Sequence, residues 1–222
     1  MFIFTPKDLL IDNNSSINTD IMSFFSIDCS TDLGSLFIKI KNNTFNKILQ
    51  SDKSNNDLLM KQILDFFDEN NIKFDDISKV YINQGPGKFS GLRGSIATVK
   101  GITLSKNLSL FGCNTFLWSC VKFFNKKDSI CSIIKIREKY FIKNFDKNLK
   151  SITKPEEISK NEIIKKYKNI FKVIPKSYSK YFDEEILNIN NLSIVDLDHN
   201  ELEFLEFKGL LDKDLIKPLY LY

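Results

Sequence analysis

The stretch Gly85-Pro86-Gly87-Lys88-Phe89-Ser90-Gly91-Leu92-Arg93-Gly94 decides the fold that this sequence predicts. Together with Gly101, it contains five of the eight glycines in the chain and one of its two arginines. Glycine accepts positive φ and close approach of other groups, so this clustering marks a loop whose main-chain shape matters. An apolar run at 80–82 precedes the loop and a helical pattern follows it. We therefore predict a strand, a tight loop and a helix.

The segments before and after this unit predict an α/β protein. Buried strands are expected at 23–28, 34–40, 44–49, 80–83 and 108–113, and helices at 55–70, 91–105 and 115–124. The first three strands are close enough in sequence to form an antiparallel meander. A second unit has expected strands at 129–137, 139–145 and 170–174, with helices near 155–168 and 201–207. We predict an N-terminal extension (1–21) that could be disordered, a first lobe (22–125) and a smaller second lobe with a tail (126–222).

Composition and charge restrict the class of protein. The 222 residues carry a formal charge of +4, have no apolar run long enough to span a membrane, and contain four cysteines without a Cys-x-x-Cys pair, so a cytoplasmic protein is expected. The charge is uneven: net 0 over 1–121, +11 over 122–180 and −7 over 181–222. The basic middle could attract RNA, or it could reflect a composition rich in lysine throughout.

The glycine loop allows two interpretations. Main-chain N–H groups at a helix N-terminus can bind a phosphate, although the spacing matches neither a Walker loop nor a dinucleotide fingerprint. Alternatively, the loop only turns the chain and packs against the first meander. The turn after the first strand presents Asp28, Ser30 and Thr31, which would lie near a nucleotide in an actin-like ATPase. A satisfied turn is the other interpretation of these three residues.

Glycines also recur inside the predicted helix at 91–105. Gly94, Ala97 or Thr98, Gly101 and Ser105 form one stripe, although each interior glycine costs a helix about 1 kcal/mol relative to alanine. Such a flat face admits a close neighbour, either another helix of this chain or a partner subunit.

The single histidine, His199, excludes a two-histidine metal site and makes a Ser-His-Asp or Cys-His catalytic pair improbable. We expect His199 to be solvated. No metal site and no catalytic residue is predicted.

Three motifs together resemble the bacterial TsaB (YeaZ) family: 26–31 (Ser-Ile-Asp-Cys-Ser-Thr), 84–93 with Lys100-Gly101, and 111–115 (Phe-Gly-Cys-Asn-Thr). The loop is similar to the family's Gly-Pro-Gly-Ser-Phe-Thr-Gly-Leu-Arg signature, and 218–221 resembles its terminal Pro-x-Tyr-Leu-Arg. The chain departs from the family at 135–137, where Lys-Ile-Arg replaces Asp-Ala-Arg, and at Tyr222, which replaces the arginine.

The resemblance implies an actin-like fold of two lobes with mixed sheets and a reduced second lobe. It also implies a role in forming N6-threonylcarbamoyladenosine at position 37 of tRNA, as a noncatalytic scaffold that activates the catalytic subunit TsaD. That relative holds a metal through a His-x-x-x-His pair on its first long helix, whereas the corresponding helix here has no histidine. The expected partners are a TsaD-type subunit, a TsaE-type ATPase, tRNA through the complex and a second copy of this chain. No cofactor is expected on this chain alone, and ATP or ADP could lie at the complex interface.

Subunits of this family pair through the first two helices, which implies roles for two sets of residues. The partner interface would contain Leu58, Leu59, Ile63, Phe66, Gly94, Ala97, Thr98 and Gly101. The structural loop would contain Gly85, Pro86, Gly87, Phe89, Ser90, Gly91 and Arg93, with Arg93 anchoring it through hydrogen bonds. The competing interpretations are an autonomous actin-like ATPase or kinase, an RNA-binding module and, least favoured, a peptidase.

Overall fold

A computed structural model of the chain describes residues 23–49 and 55–221. The predicted extension at 1–21 lies outside the described residues. Over the described part, the chain forms two five-stranded mixed sheets with helices, which confirms the α/β class. Within these residues, no helix is both long and apolar enough to cross a membrane.

The first sheet has the strand order β3-β2-β1-β4-β5. Its strands are β1 (Phe24–Asp28), β2 (Gly34–Ile40), β3 (Asn43–Leu49), β4 (Lys79–Asn83) and β5 (Ser109–Cys113). The first three strands pair antiparallel, as predicted, while β1, β4 and β5 are parallel neighbours. Every residue of β1 and β4 is buried, because the sheet is covered on both faces.

Two long helices cover one face of this sheet. They are α1 (Asn55–Glu69) and α2 (Phe89–Lys106), and the shorter α3 (Thr115–Cys120) follows β5. The buried stripe of α2 includes Leu92, Ile96 and Val99, as the spacing predicted. Asn107, with φ of 53°, ends α2 in the left-handed conformation, and the Asn114 side chain caps α3 by accepting a hydrogen bond from the Leu117 N–H at 2.9 Å.

The second sheet has the order β10-β9-β6-β7-β8. Its strands are β6 (Ser129–Ile136), β7 (Lys139–Asp146), β8 (Glu156–Ile158), β9 (Phe171–Pro175) and β10 (Leu192–Val195). The helices of this lobe are short: α4 (Lys160–Lys165), α5 (Lys176–Ser179), α6 (Glu184–Leu187) and α7 (Glu201–Phe207). The lobe is therefore reduced in its helices, while it keeps as many strands as the first lobe.

The helix predicted over 155–168 is partly wrong. Residues 156–158 form β8, because they pair with Tyr140–Ile142 of β7 and this pairing outweighs local helix propensity. The helix begins only after Ser159. The Glu162 carboxylate accepts a hydrogen bond from the Ser159 main-chain N–H at 2.8 Å, and the Ser159 hydroxyl accepts one from the Glu162 main-chain N–H at 3.3 Å, which together form a capping box.

The two lobes share one apolar core. The face of the first sheet opposite α1 and α2 carries Phe24, Tyr81 and Phe111, which pack in one cluster with α3 and with the interior of the second lobe. The tail then returns to the first lobe: Ile216 is buried under α1 and α2, and the Leu219 N–H donates to the carbonyl of Gln84 at 2.7 Å. Both connections hold the end of β4, where the glycine loop begins.

Candidate functional site

The glycine loop packs against the turn that follows β1. A β-carbon at Gly87 would lie well inside 3.0 Å of the Ser30 carbonyl oxygen, and one at Gly91 would lie equally close to the Cys29 carbonyl oxygen. Gly85 has φ of +94°, a conformation that side chains disfavour. Gly87 and Gly91 are needed because the two main chains touch, and Gly85 is needed for its positive φ.

Two N–H groups of this loop bond to the protein itself. The Gly85 N–H donates to the Asn83 side-chain carbonyl at 2.9 Å, and the Lys88 N–H donates to the Ser30 carbonyl at 2.8 Å. A phosphate cradle needs such groups pointed at the ligand. The contacts therefore favour the second interpretation of the loop, a turn packed against the first meander.

Two of the three residues predicted near a nucleotide, Asp28 and Ser30, lie in a buried polar network. Asp28 accepts hydrogen bonds from the Ser30 N–H at 2.8 Å and from the Asn83 side-chain amide at 3.0 Å, and the same amide reaches the Thr115 hydroxyl at 3.0 Å. The Thr31 hydroxyl donates to the carbonyl of Leu33. Burial raises the pKa of Asp28, and its hydrogen bonds partly offset that effect. These contacts favour the satisfied-turn interpretation.

The second lobe closes directly onto the loop. The Tyr178 hydroxyl, which is buried, donates to the Pro86 carbonyl at 2.6 Å. Asp32 accepts from the Tyr181 hydroxyl at 2.9 Å and pairs with Lys88 at 2.5 Å and Lys180 at 3.3 Å. Hydrogen bonds from these cations and the phenol lower the pKa of Asp32 to about 2. Side chains of the second lobe thus contact the glycine loop and the turn after β1 directly.

The outer face of α1 and α2 is exposed and mostly apolar or small. Leu58 and Leu64 of α1 are about half exposed, Ala97 and Gly101 of α2 are exposed, and Leu104 is 87% exposed. Among residues 23–49 and 55–221, a β-carbon at Gly101 would meet no atom within 4 Å, so no described helix packs on the glycine stripe there. Gly94 and Thr98 are half-buried on the same helix.

The predicted partner interface needs a correction at three residues. Leu59, Ile63 and Phe66 are at most 5% exposed and pack into the core of the first lobe. They form the stripe of α1 that faces the sheet, since a helix with one buried stripe turns those positions inward. Of the predicted α1 residues, only Leu58 lies on the outer face.

The prediction that Arg93 anchors the loop through hydrogen bonds is also wrong for the part of the chain that the structure describes. Arg93 is exposed, and its guanidinium lies 5.0 Å from the centroid of the Phe89 ring, which stacks on Tyr220 at 5.0 Å. Arg93 therefore packs on an aromatic pair that joins α2 to the tail. Phe89 and Ser90 are exposed in the first turn of α2.

The contacts of His199 were not predicted from the sequence. His199 is not solvated: the Ser26 hydroxyl lies 2.6 Å from its Nδ1 and the Ser35 hydroxyl lies 3.0 Å from its Nε2. The ring stacks on Phe37 at 5.1 Å and contacts the edge of Trp118. Burial lowers the pKa of His199 to about 4, so the ring is neutral at pH 7.

This serine–histidine contact does not form a peptidase site. In a catalytic triad, a carboxylate holds the second ring nitrogen while the first activates the serine. Here the hydroxyl of Ser35 holds the second nitrogen, and Ser26 is buried within the first sheet. His199 instead fixes the segment before α7 onto the first sheet.

The donor set does not fit the metal that the resemblance implies for the catalytic subunit. Helix α1 contains no histidine. Over residues 23–49 and 55–221, no group of three or more histidine, cysteine or acidic side chains is arranged to hold a metal ion. The four cysteines are buried free thiols.

Comparison with known proteins gives a family match, and the matching solved structures include two YeaZ-like proteins. The family model described as TsaD, tRNA N6-adenosine threonylcarbamoyltransferase, matches residues 49–188. YeaZ from Pseudomonas aeruginosa has a TM-score of 0.66 at 13% identity, covering 90% of this chain and 100% of that chain. An uncharacterized protein with similarity to peptidase YeaZ from Pseudomonas aeruginosa has a TM-score of 0.68, with the same identity and coverage. No curated protein matches the chain significantly.

Proposed function

Since this chain belongs to the family of TsaD, the tRNA N6-adenosine threonylcarbamoyltransferase, and has the fold of YeaZ, as its resemblance to the TsaB (YeaZ) family predicted, we propose that it is a noncatalytic subunit of a tRNA-modifying complex. In this proposal, it binds and activates a TsaD-type catalytic subunit that forms N6-threonylcarbamoyladenosine at position 37 of tRNA. A TsaE-type ATPase would complete the complex.

The outer face of α1 and α2 is the observation that carries this proposal. Leu104 is almost fully exposed and Gly101 has open space before it. An exposed leucine beside small residues allows the backbone of a partner helix to approach closely, which favours close helix–helix packing. The core stripe of the same helices is buried against the first sheet, so it is the outer face that this proposal gives to a second protein.

Two features support the noncatalytic role. Helix α1 lacks the histidine pair that would hold the catalytic metal. The Tyr178 hydroxyl bonds to the Pro86 carbonyl of the glycine loop, and the Gly85 and Lys88 N–H groups of the loop bond to protein atoms. These contacts favour a structural loop over the phosphate site of an autonomous ATPase, and in this proposal a nucleotide would bind at the interface with the partner.

Coexpression with the TsaD-type protein of the same genome tests the proposal. One protein carries a tag, and light scattering gives the mass of the material that elutes, with and without ATP. A defined complex is the expected result. If the two proteins elute separately under both conditions, the scaffold function is overturned, and ATP titration of the isolated chain then tests the ATPase alternative.

A further inference from the structure

The lysines of the second lobe differ between the two ends of its sheet. At the end where β6 finishes and β7 begins, lysines pair with carboxylates. The pairs are Lys135–Glu138 at 3.4 Å, Lys139–Glu157 at 2.7 Å, Lys160–Glu185 at 2.7 Å and Lys176–Asp196 at 3.3 Å. The positive charge at this end is locally neutralised.

The opposite end collects a second group of lysines. There β6 begins, β7 ends and β9 begins, since Ser129 pairs with Asp146 and Ile130 pairs with Phe171. Neighbouring strands lie about 4.8 Å apart, so these three strand ends lie within about 10 Å of one another. The connections at this end carry four exposed lysines, which we call the basic end: Lys127, Lys147, Lys150 and Lys168.

Contacts within the basic end hold its connections together. The Asn125 N–H donates to the Lys147 carbonyl at 2.8 Å, which joins the turn before β6 to the turn after β7. The Lys127 ammonium lies 4.6 Å from the centroid of the Phe171 ring at the start of β9. The four exposed lysines therefore lie on connections at the same end of the second sheet.

No described carboxylate neutralises these four lysines. None of them takes part in an ion pair among the described residues. Among the acidic residues near this end, Asp128 is exposed, Asp146 accepts from the main-chain N–H groups of Asn148 and Lys150, and Glu201 interacts electrostatically with Lys126. The basic end therefore keeps a net positive charge.

We propose that the basic end binds the phosphate backbone of tRNA. Exposed lysines without carboxylate partners gain binding free energy when a polyanion releases its counterions. Phe171 is covered by Lys127, so the surface suits contact with phosphates rather than stacking on bases. The choice of tRNA as the polyanion rests on the proposed function, and the basic end would add RNA affinity to the complex.

Two triple variants of equal charge test this proposal. The first, K147Q/K150Q/K168Q, removes three lysines of the basic end that have no described side-chain partner. The control, K139Q/K160Q/K176Q, removes three ion-paired lysines of the same lobe. Fluorescence anisotropy with an unmodified tRNA transcript is measured at several salt concentrations, for the isolated chain and for its complex with the TsaD-type subunit.

We expect the first variant to weaken tRNA binding by about 10-fold or more at low salt and to reduce the slope of log affinity against log salt by about 2 to 3. The control should change affinity by less than about 2-fold. Equal effects of the two variants, or no effect of the first, would overturn the proposal. Loss of TsaD binding with unchanged tRNA binding would also overturn it, because the surface would then be a protein contact. Absence of any complex refutes the proposed function separately, since the isolated chain still reports on tRNA.

Discussion

Gly87 lies against the carbonyl oxygen of Ser30 so closely that a β-carbon at position 87 would fall well inside 3.0 Å of that oxygen. The next residue, Lys88, donates its N–H to the same oxygen at 2.8 Å. The glycine loop and the turn after β1 are therefore fixed to each other through main-chain atoms. This contact positions the start of α2, and with it the outer face of α1 and α2.

Gly87→Ala should lower the free energy of unfolding by about 2 kcal/mol or more, because the added methyl group forces the two main chains apart. Gly101→Ala is the matched control. Position 101 is helical and open, so alanine should raise stability by about 0.5 to 1 kcal/mol. Urea unfolding measures both changes, and equal stability of the two variants would contradict the close contact at Gly87.

Gly101→Leu and Leu104→Asp should each weaken binding to the TsaD-type subunit by about 10- to 100-fold, since one adds bulk to the outer face and the other adds a charge. The isolated variants should unfold like the wild type, because neither position is packed. Ile152→Asp, at an exposed apolar residue of the second lobe, is the control for a general effect of charge. Normal copurification of both test variants would rule out this face as the interface.

Tyr178→Phe should destabilise the chain by about 1 to 2 kcal/mol, because the buried Pro86 carbonyl loses its donor at 2.6 Å. Tyr181→Phe removes an exposed hydroxyl that donates to Asp32, and it should cost less than about 0.5 kcal/mol. Thermal unfolding compares the two variants. If both midpoints stay at the wild-type value, the hydroxyl of Tyr178 does not hold the lobes together.

Stability should fall as the pH falls from about 6.5 to about 4. The pKa of His199 is about 4 in the folded chain and 6.5 in its ordinary state, so the unfolded chain binds the extra proton in this interval. The neutral ring thus contributes stability that is complete above pH 6.5 and is lost towards pH 4, by up to about 3 kcal/mol.

His199→Gln isolates this effect from the carboxylates, which titrate in both proteins. The difference in free energy of unfolding between wild type and variant should shrink as the pH is lowered through this interval. Urea unfolding at pH 7.5 and pH 4.5 gives the two differences. A constant difference would show that His199 is not held neutral by the fold.

The sequence by itself determined the first lobe almost completely. The predicted order of three strands, helix, strand, helix, strand and helix is correct. The predicted ends of β2, α1 and β5 lie within a few residues of the observed ends. These elements follow from local rules: alternating or continuous apolar runs for strands, a 3.6-residue spacing for helices and glycine at the loop. The helical stripe of Gly101, by contrast, left open whether a helix of this chain or a partner subunit packs on it.

Only the tertiary structure decided which groups meet across the lobes. Tyr178 reaches Pro86, and His199 reaches Ser26, across separations of 92 and 173 residues, so no local pattern could indicate these contacts. The same reason explains β8, which owes its conformation to pairing with β7. The spacing of apolar residues shows which face of each segment can be buried. Which distant residues contact that segment depends on the packing of the whole chain.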